Sequence, residues 1–395
     1  MPHWLALTSE AGSLSSMLKL RRVETPKDWD QFIEFQWSIY KGDPNWVPQL
    51  RMATRDLLDV NKNPFFRHAD LYPILAERDG KIVGRIIGVI DENHNRFHEE
   101  LVVFFGFFEC VDDRAVAQAM LDEVAKWGRA RGMKQLRGPM NPSMNHECGL
   151  LVEGFEDSPS VMMTYNPPYY AKLLEEYGLG KAKDLYAYSG EHGTTRFSDR
   201  LLAQAERLRQ RSSISFRPLN LKKFKEEVQI LQDIYNDAWE KNWGFVPMTP
   251  EEFQHMAKDL GLIVDPELCL VAEINGKPVG FSLALPDVNL AFKKVPDGKL
   301  FPFGVLKLLW HLKGPARRRT VNRLRIVTLG IRRDYQTYSI GPLLYTEYLK
   351  RGPERGYVRG EAGWILEDNR PMNRALEHMS FKRTKTYRIF EKALS

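Results

Sequence analysis

Residues 324 to 345 read Leu-Arg-Ile-Val-Thr-Leu-Gly-Ile-Arg-Arg-Asp-Tyr-Gln-Thr-Tyr-Ser-Ile-Gly-Pro-Leu-Leu-Tyr, and the fold turns on this stretch. Leu324 to Ile331 is a short apolar run rich in β-branched residues, the pattern of a buried strand. Polar and small residues from Arg332 to Gly341 make a turn, after which Leu343, Leu344, Tyr348 and Leu349 recur at helical spacing. A strand that runs through a loop into a helix aims unpaired backbone N–H groups and the positive end of a helix dipole at one spot, which suits a phosphate or pyrophosphate. An ordinary βα turn has the same spacing, so the spacing by itself leaves both open.

Downstream, Val358 to Leu366 reads as a strand, Asn369 to Met379 as a helix and Phe381 to Phe390 as a closing strand. Upstream, the pattern Glu-x-(Asp/Asn)-Gly-Lys-x-Val-Gly occurs twice, at Glu77 to Gly84 and at Glu273 to Gly280. Each copy predicts a hairpin, because Asp-Gly and Asn-Gly supply the positive φ angles of a tight β-turn. Around the first copy come strands at Leu71 to Arg78, Lys81 to Ile90 and Leu101 to Val111, a helix at Ala115 to Arg131 and a strand at Gln135 to Pro139. The element order of the second half is thus prefigured in the first.

In these features residues 324 to 349 resemble the acyl-CoA-binding motif of the GNAT acyltransferase superfamily, in which a strand enters an Arg/Gln-x-x-Gly-x-Gly/Ala loop and then a long helix. Gln336, Ser339 and Gly341 take the three named positions, with Ser339 in place of the usual first glycine. The resemblance implies an α/β (α+β) fold of two tandem GNAT-like domains, each a mixed, mostly antiparallel sheet flanked by helices. It implies donor contacts from Leu329, Ile331, Gln336, Thr337, Tyr338, Ser339, Ile340, Gly341 and Asn369, with the donor being acyl-CoA or the phosphopantetheine of an acyl carrier protein. The expected division is a leader (1–19), a degenerate first domain on the acceptor side (20–200), a linker helix (201–213) and a second domain (214–395) carrying an apolar insert (295–320). The first half lacks the phosphate loop: Cys-Val-Asp-Asp-Arg-Ala-Val-Ala-Gln-Ala, from Cys110 to Ala119, has no glycine and two carboxylates that would repel pyrophosphate.

Composition narrows the class. With 395 residues, 43% hydrophobic and 27% charged, the chain has the make-up of a globular protein with room for two domains. No apolar run reaches the roughly 18 residues that span a bilayer, and the start of the chain lacks the marks of a signal peptide. A cytoplasmic location is therefore expected. Cys110, Cys148 and Cys269 stand far apart, which suggests neither a disulfide framework nor a metal site. A net charge of +6 is modest and does not argue for nucleic acid. Nine Lys or Arg and no Asp or Glu lie between Lys307 and Arg333, a bias that favours an anionic partner such as CoA phosphates, an acidic carrier or an anionic lipid surface.

Two regions are candidates for chemistry. Gly138 to Gly149 and its continuation to Tyr169 combine prolines, glycines, methionines and tyrosines with Asn141, Asn145, His146, Glu147, Tyr165 and Asn166. Amide formation needs an amine freed of its proton, so a carboxylate or His beside the acceptor is expected, together with a proton donor for the departing thiolate. Glu147, Tyr165 and Asn145 are the candidates, with Asn141, His146 and Asn166 lining the acceptor. In the second half, Glu361 and Tyr387 are the alternative base and acid. Turn-stabilising asparagines and surface carboxylates remain the plain alternative at each position.

The segment Leu300 to Arg319 is an insert whose helix, about Phe303 to Leu312, is apolar around most of its circumference and is followed by three arginines. Phe303, Leu306 and Trp310 suit an acyl-chain lid or an interfacial segment peripheral on the inner membrane face; packing against the partner domain is the alternative. The whole chain also resembles the tandem-domain proteins that include bacterial ceramide synthases, which acylate the amine of a sphingoid base. That resemblance implies an acyl-thioester-dependent N-acyltransferase whose product is a (dihydro)ceramide. A small-molecule N-acetyltransferase and a non-catalytic GNAT-fold binding protein are the alternatives.

Overall fold

In a computed structural model of the protein, the described residues are 17–195, 202–203, 206–207, 214–338 and 340–394. Most of the expected leader and linker, and Ser339 of the loop motif, lie outside them. The strands are β1 (Lys19–Arg22), β2 (Ala69–Arg78), β3 (Lys81–Asp91), β4 (Val102–Cys110), β5 (Gln135–Gly138), β6 (Met140–Asn141), β7 (Glu147–Cys148), β8 (Leu150–Glu153), β9 (Gly180–Glu191), β10 (Ile214–Pro218), β11 (Cys269–Ile274), β12 (Lys277–Pro286), β13 (Arg323–Ile331), β14 (Arg359–Leu366) and β15 (Lys382–Ala393). All but β6 and β7 join one sheet in the order β1-β2-β3-β4-β5-β15-β9-β14-β13-β12-β11-β10, with β8 alongside β15. The pairing is antiparallel except for β4 with β5 and β13 with β14. These are the tandem, mostly antiparallel sheets that the resemblance implies.

The two halves repeat each other in register. Asp79-Gly80 and Asn275-Gly276 have φ values of 52° and 72°, and of 52° and 74°, the left-handed pairs that close both hairpins. The last glycine of each repeat then faces the last residue of the following strand, Gly84 opposite Cys110 and Gly280 opposite Ile331. In both halves the next, parallel pairing is brief: three residue pairs join β4 to β5 and four join β13 to β14. Beyond Phe104 in one half and Ile326 in the other, the strands part.

Chain order puts β15 at the end of the second half, yet in the sheet it lies between β5 and β9, two strands of the first. Arg388 fixes it there with hydrogen bonds of 2.8 and 3.1 Å to Asp184 on β9, and Glu391 bonds Arg137 of β5 at 3.1 Å. In turn β9 pairs with β14. Each half therefore contributes a strand beside the other, and the sheet is continuous.

The helices that shape the site are α1 (Arg114–Arg129), α2 (Phe224–Trp239), α3 (Pro250–Gly261), α4 (Gly304–Leu312), α5 (Ile340–Glu354) and α6 (Arg370–His378). Helix α3 begins as its sequence predicts, with a capping box in which Thr249 and Glu252 satisfy each other's backbone N–H. Glu252 also reaches out of its own half, 3.1 Å from Nε2 of His68.

Candidate functional site

The parting of β13 from β14 makes a cleft lined by Val327, Thr328, Leu329, Gly363 to Leu366 and Asn369, with a volume of about 100 Å³. At its outer end, residues Arg333–Tyr338 form a short 3-10 helix that leads into α5. Gly341, in the first turn of α5, sits over the end of β13; a Cβ there would lie 3.8 Å from Leu329 Cδ2 and Ile331 Cδ1. The first turn of a helix has N–H groups without intrahelical partners, the feature that an anion site uses. Gln336 donates to the carbonyl of Ile331 at 3.4 Å and Thr337 is exposed. Ile340 is buried in the core, so its backbone rather than its side chain is available to a ligand. Asn369 accepts a hydrogen bond from Met372 N–H as the N-cap of α6 while lining the cleft.

In the first half the equivalent cleft is closed from inside. The hydroxyl of Tyr170 accepts from Cys110 N–H at 2.8 Å, and that of Tyr169 donates to Cys110 C=O at 2.7 Å. Asn141 accepts from Phe107 N–H at 2.6 Å. At the start of α1, where the second half has its glycine, the Asp113 carboxylate accepts from Ala115 and Val116 N–H and pairs with Arg78 at 2.7 Å. Side chains of the chain itself therefore occupy both the strand edge and the helix end that a donor would need.

The space left in the first half is a cavity of about 320 Å³, walled by Tyr40, Trp46, Arg85, Glu109, His146, Glu147, Tyr165 and others. Glu147 lines it, and burial raises its carboxyl above the ordinary carboxylate value, against a smaller opposing effect of Arg325. His146 lies on the same wall. Burial lowers it to about 4, so it is neutral at pH 7, and its Nδ1 is 2.8 Å from the Ser143 hydroxyl. Tyr165 lines the cavity too, but its hydroxyl donates to Asp43 at 2.9 Å. Burial and the Asp43 hydrogen bond raise its pKa, a poor setting for a proton donor.

Other expected site residues are committed to structure. Asn166 accepts from Leu151 N–H and donates to Leu151 C=O, so its amide is spent on the backbone. Asn141 is held by Phe107, as described above. Asn145 bridges the halves: it donates to Val246 C=O at 3.1 Å and accepts from the Tyr235 hydroxyl at 3.0 Å. Glu361 and Tyr387 are fully buried and line neither the cleft nor the large cavities. Glu361 has Lys385 Nζ at 3.6 Å, but neither of its oxygens has a hydrogen-bond partner among the described residues.

The basic run does not form a continuous strip. Arg323 is buried and bonds Asp287 at 2.6 Å and Asp157 at 2.8 Å; Arg325 is buried and bonds the carbonyls of Gly363, Val161 and Met162. Arg333 pairs with Glu240 and Asp237, and Arg317 with Asp265. Both faces of β13 are covered at its start, so Arg323 and Arg325 are buried along with Leu324 and Ile326, which a count of charges cannot see. On α4, Phe303, Leu306 and Trp310 are exposed and line neither large cavity, because Leu308 is the side chain this helix buries.

A second cavity, about 250 Å³, lies between α2, α3 and the sheet of the second half, and most side chains in its wall are apolar. The sequence reading did not anticipate it, nor Thr328 and Trp364 in its wall. A polar residue and an indole on opposite lips of the parting strands were the signal available.

A sheet that opens at a parallel strand pair, beside the start of a long helix, is the arrangement of an acyltransferase of the GNAT type. The chain belongs to this family: residues 228–381 match the family described as "Acetyltransferase (GNAT) family". Protein YghO of Escherichia coli is 35% identical over 99% of this chain and 98% of its own length. The bacterial ceramide synthase of Caulobacter vibrioides is 37% identical over 97% of this chain and 99% of its own. Among solved structures, a tandem GNAT protein from the clavulanic acid biosynthesis pathway shares the fold with a TM-score of 0.56 at 10% identity, over 96% of this chain and 99% of that one. A GCN5-related N-acetyltransferase from Sphaerobacter thermophilus does so with a TM-score of 0.54 at 12% identity, over 95% and 96%.

Proposed function

We propose that this protein is an N-acyltransferase that moves an acyl group from an acyl thioester to the amine of a lipid of the sphingoid-base type, forming a (dihydro)ceramide. The observation that carries the proposal is a row of adjoining spaces that runs from the cleft of the second half to the cavity of the first. The cleft of the second half shares lining residues with the 250 Å³ apolar cavity, which shares His146 and Met162 with the cavity that holds Glu147. A thioester entering on the second half and an amine entering on the first are thereby brought toward one junction. The residues fit acyl-CoA as the donor substrate: α5 offers its N-terminus, and β13 offers an edge that β14 has left unpaired.

In this scheme Glu147 takes a proton from the attacking nitrogen as the C–N bond forms. The C–S bond breaks and the sulfur leaves with one proton, so one amine and one thioester give one amide and one thiol. His146, neutral at pH 7, borders the junction. The first half (20–200) serves the acceptor and the second (214–395) the donor. The name carried by the 37% identical relative agrees with a lipid acceptor.

The exposed face of α4 extends the same proposal to location. Phe301, Phe303 and Trp310 are 73%, 67% and 57% exposed, and Lys307, Lys313, Arg318 and Arg319 beside them are exposed as well. An apolar patch rimmed by cations suits an anionic membrane surface from which lipid substrates are drawn. Among the described residues no helix is long and apolar enough to cross a membrane. Incubating the protein with dodecanoyl-CoA and either sphinganine or small amines, with products read by mass spectrometry, tests the proposal. Amide formation with sphinganine is expected; acylation of small amines alone would overturn the lipid acceptor.

A further inference from the structure

Buried polar groups are nearly always hydrogen-bonded, so the exceptions deserve to be located. In the wall of the apolar cavity two such exceptions occur among the described residues, Thr328 Oγ1 and Trp364 Nε1. Both also line the cleft between β13 and β14. The cavity and the cleft share Trp239, Asn242, Val327, Thr328, Trp364 and Leu366, so the residues that carry the unpartnered hydroxyl and indole N–H belong to the wall that both spaces have in common. Deeper inside, the polar groups are satisfied: the Tyr235 hydroxyl donates to Asn145. The indole is not loose, since the Arg325 guanidinium lies 5.3 Å from its ring centroid and is itself held by three carbonyls.

Resting on the N-acyltransferase reading, we propose that the apolar cavity holds the hydrocarbon tail of the donor's acyl group, with the thioester carbonyl oxygen at its mouth on Trp364 Nε1–H and Thr328 Oγ1–H. A dry apolar cavity of about 150 Å³ is already able to bind benzene; this one, at about 250 Å³, has room for an alkyl chain. Position assigns the tail to the donor rather than to the amine. Six lining residues are shared with the donor cleft, whereas only His146 and Met162 are shared with the Glu147 cavity, and Glu147 itself does not line the apolar space. As nitrogen attacks, negative charge gathers on the carbonyl oxygen. Two fixed donors in an apolar surround are then worth more than in water and need no reorganisation. Neither donor has a competing partner to leave among the described residues.

The cavity's wall gives the test. Ala257 on α3 and Val228 on α2 both line it, so Ala257→Phe and Val228→Phe fill it from two sides. Calorimetry is run with CoA, acetyl-CoA and dodecanoyl-CoA on the full chain, with thermal unfolding as the check of fold. In wild type, dodecanoyl-CoA should bind at least 10²-fold more tightly than acetyl-CoA, given about fourfold per buried methylene. Each filled variant should lose most of that preference while affinity for CoA stays unchanged. Trp364→Phe and Thr328→Val should keep CoA affinity and lower kcat with dodecanoyl-CoA by about 10²-fold each. Equal affinity of wild type for acetyl-CoA and dodecanoyl-CoA would overturn the proposal, and so would filled variants in which only the KM of sphinganine rises, since the cavity would then serve the amine. Absence of any heat with CoA itself would remove the acyltransferase reading on which the proposal stands, and is a separate result.

Discussion

The Tyr170 hydroxyl accepts a hydrogen bond from the backbone N–H of Cys110 at 2.8 Å, at the strand end that corresponds by register to Ile331 of the second half. The same hydroxyl donates to Glu109 at 2.7 Å, so one side chain closes the first half's cleft and satisfies a buried carboxylate. Replacing Tyr170 by Phe removes the hydroxyl from that N–H and leaves the Glu109 oxygen with the Tyr40 hydroxyl, 3.0 Å away, as its remaining tyrosine partner. A loss of about 1–3 kcal/mol is expected for Tyr170→Phe in urea denaturation, and a change within experimental error would show that water or a relaxed backbone supplies the partner.

Glu147→Gln is expected to lower kcat by about 10²-fold or more, the scale of a proton-transfer group, with CoA affinity unchanged. Because burial raises the Glu147 carboxyl, its active carboxylate form is lost as pH falls through a value above the ordinary carboxylate range. The acidic limb of the kcat profile should report that group. Wild-type activity in Glu147→Gln, with its acidic limb in place, would move the base elsewhere. Tyr165→Phe should instead have a small effect on kcat, as its hydroxyl already serves Asp43.

His68 links the halves, with Nδ1 3.0 Å from Asp91 and Nε2 3.1 Å from Glu252. Burial alone would lower its pKa, but the two carboxylates outweigh burial and raise it from 6.5 to about 9. A raised histidine contributes stability that is fully present below about pH 6.5 and lost as pH rises through about 9. Unfolding free energy should therefore fall between pH 7 and pH 10 more steeply in wild type than in His68→Gln. Parallel curves for the two proteins would contradict the bridge.

At the surface, vesicle flotation reads the exposed face of α4. Wild type is expected to float with anionic but not neutral vesicles, and added salt should weaken the attraction, to which each nearby cation contributes about 1 kcal/mol. Trp310→Glu should abolish flotation without altering the unfolding temperature, since Trp310 is exposed. Equal flotation of Trp310→Glu and wild type would remove this face from the account.

Local signals carried much of the fold. Asp79-Gly80 and Asn275-Gly276 mark their hairpins because few residue pairs accept those φ angles, and Thr249-Pro250 with Glu252 marks a helix start because a capping box is local chemistry. The exchange of β9 and β15 was not legible, as pairing between strands far apart in sequence, like the contact of Arg388 with Asp184, is a property of the folded chain and has no local signal. In the site, Glu147 and His146 were found from their setting in a Pro- and Gly-constrained loop, and the structure places both on one cavity. Asn166 and Asn141 look the same in sequence as free amides, and only tertiary pairing reveals that backbone groups claim them. Thr328 and Trp364 went unremarked because a lack of partners is a property of the packed interior alone.

The central claim is that one thioester donor binds per chain, in the second half, on the loop that ends at Gly341. Among the described residues a Cβ at Gly341 meets nothing closer than 3.8 Å, so Gly341→Ala fits the fold, while Gly341→Asp adds a negative charge in the first turn of α5, where it would repel pyrophosphate. Calorimetric titration of CoA into the wild type and these two variants is the direct measurement. One site per chain, kept in Gly341→Ala and lost in Gly341→Asp while a cooperative unfolding transition persists, is the result predicted. Two sites per chain, or undiminished affinity in Gly341→Asp, would contradict it.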